Sequence, residues 1–156
     1  SSWRRIYLVA ELMTLLPPST NDAYRGWKLA AWALTVLAAG TIIPALIHIG
    51  LPDGGAGVIA GLNLSQGRET IIGLFAWAGT TQLVWGLMLL AISLRYRSLV
   101  PLALALLVLE RALHTWNMWG PKGAHLAGAH HPPEAWVTLG SVPVLAILLA
   151  ASLRRA

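Results

Sequence analysis

The chain has 156 residues, enough for one domain, and no cysteine, which excludes a disulfide framework, a thiolate metal site and thiol chemistry. It is 56% hydrophobic and only 11% charged, against about 25% charged for an ordinary soluble domain. Its net charge of +5 does not indicate nucleic acid, because the basic residues come in twos at the ends of apolar runs and form no patch. The long unbroken apolar blocks are those of an integral membrane protein.

The first apolar stretch, residues 6–16 (Ile6–Leu16), is too short to span, carries Glu11 and ends at Pro17-Pro18. It reads as an N-terminal interfacial amphipathic helix. A signal-peptide remnant is disfavoured because no small-residue cleavage site follows. The absence of an initiating Met leaves room for residues upstream of Ser1.

Four blocks are long enough for a hydrocarbon core of about 30 Å, which takes roughly 20 helical residues. They cover approximately 27–49 (Trp27–Ile49), 71–94 (Ile71–Leu94), 99–119 (Leu99–Trp119) and 135–153 (Ala135–Leu153). Backbone polar groups in lipid must be satisfied internally, so the spans are helices, and short links make neighbours antiparallel. The fold class is all-α integral membrane, with four antiparallel transmembrane helices in a single membrane domain. Span two carries Gly73, Ala76, Gly79 and Gly86, small residues that let a neighbouring backbone approach. Pro44 and Pro143 lie inside spans one and four and are expected to kink them.

Arg4, Arg5, Arg25, Lys28, Arg95, Arg97, Arg154 and Arg155 all fall on one side of this arrangement, while the other side holds Arg68 and Lys122. The positive-inside rule then puts both termini in the cytoplasm of a multi-pass cell-membrane protein. The arginine- and alanine-rich composition points to a bacterial inner membrane. Trp27, Trp119 and Trp136 sit near span ends, as an aromatic belt requires.

Span three ends in "LERALHTWNMW", residues 109–119. Glu110 lies eleven residues after Leu99, about 16 Å along a helix and near the bilayer midplane. An ionisable group there costs at least about 2.5–3.5 kcal/mol, so it is expected to face the bundle interior and find partners. Glu110, His114 and Asn117 share one face, whereas Arg111 is turned about 100° away toward a different neighbour. Span two offers Thr80, Thr81 and Gln82 near mid-depth, and span one offers His48 near its outer end.

One reading is a polar ligand pocket in the outer half of the bundle, built from Glu110, His114, Asn117, Gln82 and His48, with Arg111 nearby. The other is a hydrogen-bond network that fixes helix register, with Arg111 snorkelling or paired to Glu110 of another chain. A buried Glu and a buried His would also suit acid–base work, since burial drives both toward neutrality. Haem or chlorophyll ligation by His48 and His114 is a further alternative. The spacing is not the Glu-x-x-His of di-iron bundles.

In the outer loops, His125, His130 and His131, with Glu134, are candidate zinc or copper ligands. Pro133 and Glu134 equally suit the first turn of span four, Pro for its preset φ and Glu for the helix dipole. The segment 50–67, "GLPDGGAGVIAGLNLSQG", is long for a bundle connection and is expected to fold back over the outer end near His48 and Asn117.

Gly67-Arg68-Glu69-Thr70-Ile71-Ile72-Gly73-Leu74, followed by Gly79, an Arg-ended turn and another apolar span, resembles small bacterial DoxX-like four-helix membrane proteins. The likeness covers spans two and three and implies the same four-helix fold. Some members are associated with redox partners.

No P-loop, dinucleotide fingerprint, Ser-His-Asp arrangement or zinc-protease motif occurs. The leading expectation is a small non-catalytic membrane protein: an accessory or scaffold subunit of a larger membrane complex, or a binder of a lipophilic molecule. Its partners would be the lipid bilayer, other membrane subunits or further copies of itself. The competing expectation is an enzyme or a redox or pigment protein using Glu110 and His114. A transporter would have to dimerise to build a path.

Overall fold

The computed structural model describes residues 16–122 and 131–154. The expected interfacial helix at 6–16 lies outside the described residues except for Leu16, as do His125 and His130. Four α-helices dominate: α1 Lys28–Gly50, α2 Arg68–Arg95, α3 Val100–Trp119 and α4 Pro133–Leu153. Each is long and apolar enough to cross a membrane, α3 being counted with the 3-10 turn Arg97–Leu99 before it. Among the described residues there is no strand.

The helix ends fall within three residues of those expected, the largest shift being at the start of α2. That helix opens at Arg68 because Gly67, at φ 67°, takes the left-handed conformation and turns the loop directly into it. Glu69 then sits in the first turn, where the helix dipole favours a carboxylate. Pro44 and Pro143 are accommodated inside continuous helices, so neither breaks its span.

The helices associate in two pairs, α1 along α2 and α3 along α4, with much sparser contact between the pairs. The buried face of α1 is Ala30, Ala31, Leu34, Ala38, Thr41 and Ala45, a 3.6-residue stripe made mostly of small side chains. Against it lie Gly79 and Gly86 of α2. A Cβ on Gly79 would come within 2.6 Å of His48 Cβ and 3.0 Å of Ala45 O, and one on Gly86 within 2.7 Å of Ile42 Cγ1. Gly73 faces open space, so only the later two glycines of the small-residue run serve helix approach.

The apolar core that joins the two pairs is confined to one end. It collects the start of α1 (Ala30 to Ala38), Leu89 near the end of α2, the start of α3 (Val100, Ala103, Leu104, Leu107) and Leu145 of α4. The segment before α1 clamps this same end. Asn21 Nδ2 donates to Leu94 O at 2.8 Å, and Asn21 Oδ1 accepts from Arg97 N at 3.2 Å. Thr20 N and Ser19 Oγ both donate to Arg95 O at 3.0 Å, so residues 19–21 satisfy the carbonyls left open where α2 stops. Arg97 lays its guanidinium 5.4 Å over the Trp32 ring and donates through Nε to Ser93 O.

At the opposite end the connection between α1 and α2 is compact. Asp53 organises it: its carboxylate accepts from Gly55 N, Gly57 N and Val58 N at 2.9–3.0 Å. Those amides hold the Asp53 carboxyl below the ordinary aspartate range. Gly54 and Gly55 take positive φ, 61° and 77°, which lets the chain reverse against Phe75 and Ile47. The loop thus folds back over the adjoining ends of α1 and α2 and meets His48. Asn117 donates its side-chain amide to Leu113 O of its own helix.

Candidate functional site

Where the core ends, the two helix pairs part and leave a cavity of about 580 Å3. All four helices line it. Thr41 and His48 come from α1, Gln82 from α2, Glu110, Arg111 and His114 from α3, and Glu134 from the first turn of α4. The remaining wall belongs to α2, whose Trp77, Ala78, Thr81 and Trp85 follow one another around a single helical face. Glu110, His114, Gln82, His48 and Arg111, singled out from the sequence, are therefore brought together; Asn117 is not. It lies two turns beyond Glu110, and its amide is already used within α3.

The charged centre is arranged around Arg111. Its Nε lies 3.3 Å from Glu110 Oε2, its Nη1 lies 3.7 Å from Glu134 Oε1, and Nη1 donates to Thr138 Oγ1 at 3.4 Å. The side chain is 17% exposed, against 44% for Glu110 and 48% for Glu134. Arg111 reaches across to α4, a different neighbour as expected, and also pairs with Glu110 of its own chain, because a long flexible stem can curl back past the 100° offset. Glu134 is more than a first-turn dipole residue, because it supplies the second carboxylate of the ion-pair group.

Glu110 Oε2 is shielded from solvent and has ion-pair contact with Arg111, but no aligned hydrogen bond among the described residues. Its charge is only partly answered. His48 is fixed more tightly. Its Nδ1 lies 2.7 Å from Gly54 O, and a carbonyl oxygen only accepts, so Nδ1 carries a proton and, in the neutral ring, Nε2 is the acceptor. Phe75 packs edge-on against that imidazole at 5.2 Å. The Asp53 loop thus sets both the ring angle and the tautomer of a cavity histidine.

His131, a proposed metal ligand, stacks on Trp119 at 4.2 Å, and Trp119 in turn meets Trp136 edge-on and donates Nε1–H to Ala135 O. Its companions His125 and His130 lie outside the described residues. Among the described residues no group of three or more His, Asp or Glu is placed to hold a metal ion. Trp119 is thus packed into the α3–α4 junction, whereas Trp27 and Trp136 are 50% and 58% exposed.

No family model, curated protein or solved structure matches this chain. The DoxX-like likeness therefore rests on its own short motif. In the fold that motif is the left-handed cap at Gly67, the first turns of α2, and Gly79 packed on α1.

The cavity residues that sequence reasoning left out are Thr41, Ala78 and Glu134. In sequence, Trp77 and Trp85 read as aromatic surface for lipid, quinone or partner helices. On α2 a signal existed: Trp77 and Ala78, then Thr81 and Gln82, then Trp85 recur at one-turn intervals, marking a face of mixed polarity in an otherwise apolar helix. For Glu134 there was none, since its role depends on where α4 starts relative to Arg111.

Proposed function

We propose that the chain is a multi-pass membrane protein of four antiparallel spans that binds a lipophilic molecule in the cavity between its helix pairs. The observation that carries this reading is the cavity itself. Its wall is largely apolar and aromatic, yet it converges Glu110, His114, Gln82 and His48, the form small-molecule sites take. Antiparallel packing draws support from α1 and α2, where Gly79 meets Ala45 and His48 while Gly86 meets Ala38 and Ile42, in opposite order along the two helices. Arg25, Lys28, Arg95, Arg97 and Arg154 gather at the clamped core end, against Arg68 and Lys122 beyond the cavity. By the positive-inside rule the cavity then opens in the outer half of the bilayer, with the termini cytoplasmic.

A binding role is favoured over catalysis because, among the described residues, no nucleophile is paired with an adjacent base, and His48 is oriented by a backbone carbonyl instead of a carboxylate. The test is extraction of the protein purified in mild detergent from its native membrane, with the extract compared with bulk lipid. One species enriched in the wild type and depleted at least tenfold in His114→Ala and Glu110→Gln is the expected outcome. An extract indistinguishable from bulk lipid contradicts the reading, and a stoichiometric co-purifying membrane subunit would then favour the scaffold role. An absorbance spectrum of the same sample decides the tetrapyrrole alternative: a Soret-type or bacteriochlorophyll band lost in His114→Ala would establish it.

A further inference from the structure

The cavity holds two carboxylates, Glu110 and Glu134, and one guanidinium, Arg111, which both of them share. Arg111 is taken up by these two and Thr138, so it has little left to offer an anionic ligand. The groups still open to a ligand are acceptors: the Glu110 carboxylate, 44% exposed although its Oε2 is turned to Arg111, and the Nε2 that the Gly54 carbonyl leaves as the acceptor of a neutral His48. Trp77 and Trp85 supply π faces on the α2 wall. We infer that the ligand of this cavity is a lipophilic organic cation of single charge, such as a protonated or quaternary amine carrying apolar or aromatic groups.

This inference rests on the lipophile-binding reading and narrows it. One carboxylate exceeds what a single guanidinium neutralises, and in a site of low polarity that excess is met by a proton or by a cation. Indole faces and unpaired acceptors recognise a diffuse organic cation, whereas a metal ion needs converging ligands, and no such group exists among the described residues. The groups facing the excess carboxylate are Arg111 and His114 of α3, Glu134 of α4 and His48 of α1, and α2 adds only uncharged Thr81, Gln82 and tryptophan side chains.

The test is calorimetric titration of the full chain in neutral detergent with three probes of related shape: tetraphenylphosphonium, tetraphenylborate and uncharged triphenylphosphine oxide. Tetraphenylphosphonium should bind at least tenfold more tightly than either of the others. Glu110→Gln and Glu134→Gln should each weaken it about tenfold or more. Either variant leaves Arg111 one carboxylate, so one can be read if the other does not fold. Glu69→Gln, at the start of α2 and outside the cavity, should change nothing, while Ala78→Trp, which fills the cavity, should abolish binding. Equal or tighter binding of the borate or the oxide overturns the cation inference and leaves the lipophile site standing. No binding of any probe, or binding undiminished in Ala78→Trp, overturns both.

Discussion

At the residue scale, two side chains act by holding backbone. Asp53 accepts three amides and thereby shapes the loop that presents Gly54 O to His48. Because its carboxyl is held below the ordinary aspartate range, folding favours the ionised form. The stabilisation is complete above that range and is lost as pH falls through the lower folded value. Hydrogen exchange should show Gly55, Gly57 and Val58 protected at neutral pH and released on strong acidification, and Asp53→Ala should expose them at every pH. Protection that survives in Asp53→Ala would mean that the glycine turns hold the loop unaided. Asn21 plays the matching part at the other end, where Asn21→Ala removes two hydrogen bonds to the α2–α3 turn. A loss of about 1–2 kcal/mol follows, readable as a lower thermal midpoint in detergent. Neither role was legible in the sequence, since an Asp after Pro and an Asn before Asp look like ordinary loop residues until the amides they meet are placed.

At the element scale, the fold was largely legible and the pairing of helices was not. Span number, length and ends follow from uninterrupted hydropathy, which needs no tertiary information. Which glycine touches which helix does need it: Gly73, Gly79 and Gly86 look alike in sequence, yet only the latter two lie against α1. Gly79→Leu should therefore overpack the interface and cost about 1–3 kcal/mol. Gly73→Ala should be neutral or stabilising by up to about 1 kcal/mol, through helix propensity alone. Thermal melts of the two variants check this; equal midpoints would show that α1 and α2 do not depend on close approach. Arg111 marks the limit of helical-wheel reasoning. Its Cβ direction was readable, but a side chain with a four-bond reach chose partners on both its own helix and α4.

At the scale of the whole molecule, the chain is zipped at one end and parted at the other. Small residues and leucines close the basic end, where residues 19–21 tie the α2–α3 turn and Trp27 N meets Ala151 O. At the far end the pairs diverge around polar side chains that cannot pack as an apolar core would, and the cavity is the consequence. The sequence showed the polar cluster because charge inside an apolar run is conspicuous. It could not show a cavity, which depends on how two helix pairs diverge. The central claim is that this space takes a lipophilic molecule. Native mass spectrometry of the intact protein from its own membrane, wild type beside Ala78→Trp, tests it most directly. The account predicts one discrete bound mass on the wild type and none on Ala78→Trp; bare protein in both, or the same adduct on both, would contradict it.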